Sequence, residues 1–184
     1  MSEDGRIILD QTQFNLTIKR LAHQLIENYN DFSNTAIIGL QPRGVFLSER
    51  IKAELLKINP TFKIQSGALD VTFYRDDYRR QGNPLIPNKT HLDFTLEDKK
   101  IVLVDDVLFT GRTIRSGLDA MLAFGRPKTV ALLTLINRRY KRHLPIQADY
   151  IGKNVHSIDS ERVIVSWKET DKKDEVILYT PKDE

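Results

Sequence analysis

The 184-residue sequence contains no cysteine, so it can form neither a disulfide bond nor a cysteine nucleophile. It has no apolar run long enough to cross a membrane, and its first residues lack the basic and apolar regions of a secretory signal. These absences make the cytoplasm the expected location. Because 40% of the residues are hydrophobic and no repeat or low-complexity tract interrupts them, one domain is expected over residues 1–184.

Neither sign of charge dominates, since the formal net charge is only +3. This mild excess permits an anionic partner such as RNA without requiring one. Two phosphate-binding patterns are also missing: the Gly-x-x-x-x-Gly-Lys-Ser/Thr loop and the Gly-x-Gly-x-x-Gly dinucleotide fingerprint. A P-loop kinase and a Rossmann dehydrogenase are therefore disfavoured.

The most informative stretch is residues 101–113, with the sequence IVLVDDVLFTGRT. The apolar and largely β-branched residues 101–104 predict a strand buried on both faces of a parallel sheet. This strand is expected to end at an acid pair, Asp105 and Asp106. A helix is expected to follow the loop, with a buried face formed by Ile114, Leu118, Met121 and Leu122.

The loop between this strand and helix has the composition of an anion site. Gly111 lets a ligand approach the backbone, and the helix start offers unpaired N–H groups. Thr110 and Thr113 add hydroxyl donors and Arg112 adds a cation, which suits a phosphate monoester. Beside it, the acid pair suits sugar hydroxyls or a hydrated magnesium ion. The stretch therefore predicts a ribose 5-phosphate site at the carboxyl end of a strand.

Each piece of this stretch also has a plainer interpretation. An Asp-Asp pair at a strand end can be a solvated turn, and Thr-Gly-x-Thr can cap a helix with no ligand. A response regulator receiver or an aspartyl phosphatase would explain the acid pair but would leave the Thr-Gly-Arg-Thr loop without a function. The order of strand, acid pair, glycine loop and helix favours a binding site.

A second strand, glycine turn and helix precede the first. Residues 35–40 predict a buried strand, and Gln-Pro-Arg-Gly at 41–44 leads into a helix over residues 45–56. The N–H groups of this turn and Arg43 can bind a second anion, although a plain turn is the simpler interpretation. Residues 69–74 alternate in polarity and predict a strand that ends at Tyr74. The charged segment at 75–91, broken by glycine and proline, predicts a flexible hood loop.

Two basic stretches and a terminal hairpin complete the chain. A helix predicted over residues 10–29 exposes a basic side, for which a solvated face is the simpler interpretation. Residues 138–143, Arg-Arg-Tyr-Lys-Arg-His, form the densest basic patch, and an aromatic ring among cations suits single-stranded RNA. Residues 162–167 and 176–179 alternate around a polar turn and predict an antiparallel hairpin.

Residues 104–113, VDDVLFTGRT, resemble the phosphoribosyl pyrophosphate (PRPP) motif of type I phosphoribosyltransferases. Residues 72–77, 125–127 and 148–154 are similar to the PyrR family, whose members combine uracil phosphoribosyltransferase activity with RNA-binding attenuation of pyrimidine operons. The resemblance covers nearly the whole chain. It implies an α/β fold with a central, mainly parallel sheet flanked by helices, a flexible hood and a C-terminal antiparallel hairpin.

The resemblance also implies a reaction, in which uracil and PRPP give UMP and pyrophosphate with Mg²⁺ as cofactor. The acid pair would hold the ribose hydroxyls and the metal, and Asp105, Asp106 and Arg43 would be the catalytic residues. The implied PRPP-binding residues are Pro42, Arg43, Gly44, Arg75, Asp105, Asp106, Val107, Leu108, Phe109, Thr110, Gly111, Arg112 and Thr113.

Base and RNA contacts are implied in the same way. Backbone groups at Lys153 and Val155 would recognise uracil. Pyrimidine operon mRNA would contact Lys19, Arg20, His23, Arg139, Lys141 and Arg142. The chain departs from the family pattern at Asn28, Pro42 and Arg138. A homodimer or higher assembly is implied, and a UMP-sensing RNA attenuator with little catalysis and a purine phosphoribosyltransferase remain as alternatives.

Overall fold

A computed structural model describes residues 4–74, 89–140 and 142–181 of the chain. In chain order its elements are β1 (Asp4–Leu9), α1 (Gln11–Tyr29), β2 (Thr35–Leu40), α2 (Gly44–Ile58), β3 (Gln65–Leu69), β4 (Lys100–Leu108), α3 (Arg112–Met121), β5 (Thr129–Arg139), β6 (Tyr150–His156), β7 (Arg162–Ser166), α4 (Lys168–Asp171) and β8 (Glu175–Thr180). Among these helices, none is both long and apolar enough to cross a membrane.

Five strands form a parallel sheet in the order β3-β2-β4-β5-β6, as the buried apolar runs predict. The strand β4 occupies the centre, and β2 is its neighbour, with Gly39 opposite Val104. Because parallel strands end at the same edge of a sheet, the turns that follow β2 and β4 lie side by side. Both predicted anion loops are therefore on one edge of the molecule.

Apolar clusters cover both faces of this sheet. One cluster joins the sheet to α1, α2 and the small sheet, and the other lies on the face covered by α3. The small sheet has the antiparallel order β1-β8-β7, which confirms the predicted hairpin and adds β1 to it. Just after β7, the fully buried Trp167 packs edge-on against Phe14 of α1 with ring centroids 5.1 Å apart.

Local sequence signals placed the helix α1 and the strand β2 correctly. The α1 helix begins after Asp10, whose Oδ1 accepts a hydrogen bond from the Gln13 N–H at 2.8 Å, and the Gln13 side chain in turn accepts from the Asp10 N–H. This reciprocal cap satisfies N–H groups that the helix itself cannot pair. The strand predicted at residues 35–40 is confirmed as β2.

The strand predicted to end at Tyr74 is wrong. The strand β3 ends at Leu69, and Thr72–Tyr74 is a short 3₁₀ turn. Asp70 is the reason, because its Oδ1 accepts hydrogen bonds from the Thr72 hydroxyl at 2.7 Å and the Thr72 N–H at 3.3 Å. An aspartate that bonds two residues ahead turns the chain out of a sheet.

The prediction of the buried face that begins at Ile114 is wrong for two of its four residues, because Leu118 and Leu122 are 36% and 67% exposed. The small residues Ser116, Gly117 and Ala120 face the sheet instead. A Cβ at Gly117 would lie 2.9 Å from a methyl group of Leu40 in β2. The helix approaches the sheet too closely for large side chains, and periodicity alone does not reveal that distance.

The acid pair lies within β4 rather than after it, since the strand continues to Leu108. Val104 and Val107 contact one apolar cluster, whereas Leu103 and Leu108 contact the other. The strict alternation of a strand therefore shifts by one residue between Val104 and Val107. The shift falls on the two aspartates.

Most of the predicted flexible hood, residues 75–88, lies outside the described residues. At its described end, His91 pairs with Ala68 of β3 through two backbone hydrogen bonds of 2.8 and 3.0 Å. The Thr90 hydroxyl accepts a hydrogen bond from the Asp70 N–H at 3.1 Å. The chain thus returns along β3 before it enters β4.

Candidate active site

The acid pair is largely enclosed by the protein. Asp105 is 8% exposed, and its Oδ1 accepts a hydrogen bond from the Asp106 N–H at 3.0 Å. Burial raises the pKa of Asp106 above its ordinary value, although the nearby positive charge of Arg43 acts to lower it. A cationic ligand or a sugar hydroxyl at this carboxylate would compensate part of the cost of its burial.

We call residues 110–113 the phosphate loop. Gly111 has a φ of +90° and directly precedes α3, a backbone conformation that side chains disfavour. In the described part of the chain no side chain caps this helix, although the Arg112 N–H lies 3.4 Å from the Thr110 hydroxyl. The hydroxyls, the arginine and the uncapped helix start suit a phosphate group.

The connection between β5 and β6 holds the phosphate loop from outside. The Thr110 carbonyl accepts the His143 N–H at 3.0 Å, and the Arg112 Nε lies 3.4 Å from the His143 Nδ1. The Arg142 guanidinium donates to the Phe109 carbonyl and, at 2.6 Å, to the Asn137 Oδ1. The backbone of the loop is therefore fixed by residues about thirty positions further along the sequence.

The turn at residues 41–44, which we call the first glycine loop, packs directly on the acid pair. A Cβ at Gly44 would lie 3.1 Å from the Asp105 Cα and would overlap the Val104 carbonyl. The Gln41–Pro42 peptide bond is cis, and the Arg43 guanidinium donates to the Val165 carbonyl of β7. The loop thus joins the centre of the parallel sheet to the small sheet.

Asp171 lies at the same junction. The Trp167 N–H donates to its Oδ2 at 2.9 Å, and this bond, the Thr170 hydroxyl and the charge of Arg43 lower the pKa of Asp171. Arg43 is therefore near two carboxylates, Asp106 and Asp171, and neither makes an ion pair with it at short distance among the described residues. The planar guanidinium of an arginine suits a bidentate contact with a phosphate.

The predicted base-binding residues lie on β6, next to β5. The Lys153 ammonium donates to the Ile8 carbonyl of β1 at 2.8 Å, and the Val155 side chain is buried in the core. Asn154, between them, accepts a hydrogen bond from the Asn137 amide at 2.8 Å. The side chain of Asn154 thus connects β6 with the residue before the phosphate loop. The connection runs through Asn137 and Arg142.

The predicted RNA-binding residues have unlike surroundings. Lys19 and His23 are exposed on α1, and Arg139 is exposed at the end of β5. Arg20 also lies on the surface, but its guanidinium donates to the backbone carbonyls of Ile151 and Gly152. Arg142 is bonded to Phe109 and Asn137 as described above. Lys141 and the predicted PRPP-binding residue Arg75 lie outside the described residues.

Sequence reasoning missed Asn137, Trp167 and Asp171. Asn137 had a usable signal, because it directly follows the apolar run that ends at Ile136, near the edge where α/β sheets bind ligands. Trp167 is the single tryptophan of the chain, and nothing in the sequence separates it from an ordinary core residue. Asp171 stands in a polar turn that predicts only the hairpin.

The acid pair has the right chemistry for magnesium. Mg²⁺ prefers oxygen ligands, keeps several waters and commonly takes only one or two carboxylates from the protein. Within residues 4–74, 89–140 and 142–181, no cluster of three or more His, Cys, Asp or Glu could hold a metal ion. Asp105 and Asp106 are thus suited to a metal carried largely by a phosphate ligand.

Residues 5–170 match the family described as phosphoribosyl transferase domain. The bifunctional protein PyrR of Geobacter sp. (strain M21) is 41% identical over 175 residues, covering 95% of this chain and 98% of that protein. That of Deinococcus radiodurans is 41% identical over 183 residues, covering 100% and 99%. This chain belongs to the PyrR family of phosphoribosyltransferases.

Solved structures agree on the fold. A hypoxanthine phosphoribosyltransferase from Staphylococcus aureus superposes with a TM-score of 0.70 over 96% of this chain and 92% of that one, at 17% identity. The Trypanosoma cruzi enzyme in complex with the product IMP gives 0.69 over 95% and 90%, at 16% identity. At such identities the likeness concerns the fold alone, and it confirms the predicted type I architecture of this PyrR family member.

Proposed function

We propose that the protein transfers the phosphoribosyl group of PRPP to uracil, giving UMP and pyrophosphate. The observation that carries this proposal is the arrangement at the ends of β2 and β4. There the buried acid pair lies between the first glycine loop, with Arg43, and the phosphate loop. One phosphate site, one pyrophosphate site and two carboxylates for a ribose match the parts of PRPP.

Each part has a role in the transfer. The phosphate loop holds the 5-phosphate, the acid pair binds the ribose hydroxyls and stabilises the positive sugar, and Arg43 faces the pyrophosphate. The bond between the anomeric carbon and the pyrophosphate oxygen breaks, a bond to a uracil nitrogen forms, and that nitrogen loses its proton. Mg²⁺, when bound at the acid pair, neutralises part of the pyrophosphate charge.

The base is assigned by family resemblance and is tested by a panel. Pyrophosphate release is measured from PRPP and magnesium with uracil, hypoxanthine, guanine or orotate, for the wild type and Asp106→Asn. We expect release with uracil only and a loss of about 10²- to 10³-fold in the variant, as for other groups that stabilise developing charge.

Asp119→Asn is the matched control for this panel, because Asp119 lies on the exposed side of α3 in an i,i+4 pair with Arg115. Its activity should equal that of the wild type. Release with hypoxanthine or guanine instead of uracil would establish the purine alternative. No release with any base, together with UMP binding, would favour an RNA regulator with little catalysis.

We also propose that the protein binds RNA as a regulator of pyrimidine genes. Two described features support a single-stranded contact: Arg139 is exposed, and Tyr140 is 76% exposed with its ring 5.2 Å from that of His156. Lys19 and His23 offer a second polar surface on α1. Arg142 is a poor probe of this function, since its guanidinium supports the phosphate loop.

RNA binding should weaken steeply with salt, because cationic side chains that contact the RNA phosphates displace counterions from them. Arg139→Gln should lower the affinity and the salt slope while uracil transfer continues. Arg126→Gln makes the same charge change at an exposed position before β5 and should leave RNA affinity unchanged. Equal RNA affinity of wild type and Arg139→Gln would contradict this contact.

A homodimer or larger assembly is proposed from the family resemblance. Exposed apolar side chains support it: Phe73, Tyr74, Leu118 and Leu122 are all exposed, and the Tyr74 carbonyl accepts a hydrogen bond from the Ser116 hydroxyl of α3 at 3.0 Å. Sedimentation of Leu122→Glu should show a smaller species than the wild type. The cytoplasmic location stays a prediction.

A further inference from the structure

Arg138 is the most enclosed of the cations in the basic patch that the structure describes. It is 6% exposed, whereas its neighbour Arg139 is exposed. The Nε donates to the Ser157 hydroxyl at 2.8 Å, and a terminal nitrogen donates to the carbonyls of Ile158 and Glu161 at 2.9 and 3.0 Å. These acceptors are neutral oxygens, so hydrogen bonds rather than a carboxylate compensate the buried charge.

The carboxylate of Glu161 is engaged elsewhere. One of its oxygens accepts the Ile158 N–H at 2.8 Å and the other accepts the Thr180 hydroxyl at 3.0 Å. The turn that follows β6 is therefore closed by its own bonds and by the Arg138 side chain. Among the described residues no carboxylate makes an ion pair with this guanidinium; burial lowers the Arg138 pKa, and the charge of Glu161 acts to raise it. A buried guanidinium held by neutral oxygens is an expensive way to fill space, which an apolar residue would do at lower cost.

The face of the same guanidinium lies on Phe109, with its Cζ 3.7 Å from the ring centroid. A desolvated cation is strongly attracted to the face of an aromatic ring, and a planar guanidinium also fixes the plane of the ring. Phe109 stands between the end of β4 and the phosphate loop. Its ring is held by Arg138 and its carbonyl by Arg142, so the first residue before the loop is fixed at two points.

We propose that Arg138 is a positioning residue for phosphoribosyl transfer: it orients Phe109 and thereby sets the phosphate loop for the 5-phosphate of PRPP. This inference rests on the function proposed above, because it concerns how the same site holds its phosphate. Arg138 touches no reacting atom and acts through Phe109 alone. A cation of the basic patch thus serves the substrate site rather than RNA.

The consequence is a selective defect in phosphate binding. The experiment compares Arg138→Met and Arg138→Lys with the matched control Arg126→Met, which removes the same charge at an exposed position before β5. The measurements are the KM for PRPP, the KM for uracil, kcat, the Kd of ribose 5-phosphate by calorimetry, and Tm. The last two need no turnover.

Arg138→Met should raise the PRPP KM and the ribose 5-phosphate Kd about tenfold, with the uracil KM and kcat within about twofold of the wild type. Arg138→Lys keeps the charge but loses the planar stack, so it should lie between Arg138→Met and the wild type. Arg126→Met should match the wild type in both phosphate measurements. A lower Tm with unchanged phosphate affinity would reduce Arg138 to a structural role and overturn the proposal.

The variant Phe109→Leu tests the same contact from its other side, with Arg138 intact. If Arg138 acts through this ring, Phe109→Leu and Arg138→Met together should weaken ribose 5-phosphate binding no more than either change alone. Additive losses would overturn the proposed route. A wild type that binds ribose 5-phosphate but transfers no phosphoribosyl group from PRPP to uracil would refute the proposed reaction while the binding comparisons still decide the role of Arg138. No binding of ribose 5-phosphate at all would refute both proposals.

Discussion

The first glycine loop and the phosphate loop both follow a buried parallel strand and lead into a helix, but their glycines are required for different reasons. Gly44 has no room for a side chain, because a Cβ would overlap the Val104 carbonyl. Gly111 has room, with the nearest atom 3.4 Å from a Cβ, but its φ of +90° disfavours one. Close packing limits the first loop, and backbone conformation limits the second.

The supports of the two loops are also separate. The first glycine loop bonds to β7 through Arg43, and the small sheet is fastened to α2 where Arg50 bonds Glu169 and Asp174, each at 2.7 Å. The phosphate loop is held by the connection between β5 and β6. Since the supports share no residue, the two ends of the proposed PRPP site should respond independently to mutation.

Gly44→Ala should give the largest effect. The added methyl group has to displace the loop from β4 or push the Asp105 backbone, and a shift of about 1 Å costs about a hundredfold in activity. Steady-state kcat/KM for PRPP measures this loss. Gly111→Ala is the natural comparison, and the contrast between the loops fails if Gly44→Ala stays within about twofold of the wild type.

Arg50→Met should produce the largest loss of stability, about 3 kcal/mol in urea unfolding, because Asp174 is left buried without its cation. Stacking of Arg50 on Phe14 and Trp167 is lost as well. Lys57→Met removes an exposed pair with Glu54 and should cost at most about 0.5 kcal/mol. The Kd of ribose 5-phosphate should be the same for Arg50→Met and the wild type. A tenfold difference would show that the supports of the two loops are coupled.

Gly111→Ala should cost about 1–2 kcal/mol, because a side chain at positive φ is strained even though a Cβ there would meet only ordinary van der Waals contacts. The PRPP KM should rise, since this residue lies within the phosphate loop. Gly111→Asn should be milder in unfolding experiments, because asparagine tolerates this region better than alanine. An alanine variant as stable as the wild type would remove backbone conformation as the reason for this glycine.

The smallest predicted effect is a pH dependence of stability, and it concerns only the support of the first glycine loop, where Arg50 bonds Glu169 and Asp174. The hydrogen bond from Arg50 lowers the pKa of Glu169; burial raises the pKa of Asp174, but bonds from Arg50 and the Lys168 N–H outweigh it and leave it lowered. The contribution of these two carboxylates to stability is complete above the ordinary carboxyl pKa values. It is lost as the pH falls through their lowered pKa values.

The free energy of unfolding of the wild type should therefore decline on acidification below about pH 4.5, and that of Arg50→Met should decline less. Unfolding by urea at a series of pH values measures both slopes. Lys57→Met should follow the wild-type slope. Parallel curves for wild type and Arg50→Met would show that these carboxylates titrate without help from Arg50.

Sequence reasoning was most successful where the signal is local. The apolar runs predicted the buried parallel strands, the helical pattern over residues 10–29 predicted α1, and the stretch around Gly111 predicted a glycine turn before a helix. It was wrong for Leu118 and Leu122, because helical spacing does not show how closely α3 approaches the sheet. It also ended β4 too early, because two aspartates look like the end of a strand.

The basic patch shows the limit of composition. Arg138, Arg139 and Arg142 are identical in type and close in sequence, and their charges alone suggest one shared role. In the fold, Arg138 lies under Phe109, Arg142 bonds its carbonyl, and Arg139 faces solvent. Which arginine is available to RNA is decided by what each one meets across the sheet edge.

The sequence by itself predicted the family, the parallel sheet and the order of strand, acid pair, glycine turn and helix, because short runs of residue types signal these features. Only the tertiary structure decided what supports the site. Phe109 and Arg138, like Arg43 and Val165, are far apart in the chain and meet because parallel strands bring their ends to one edge. Contacts between distant residues depend on the packed fold, so no local pattern specifies them.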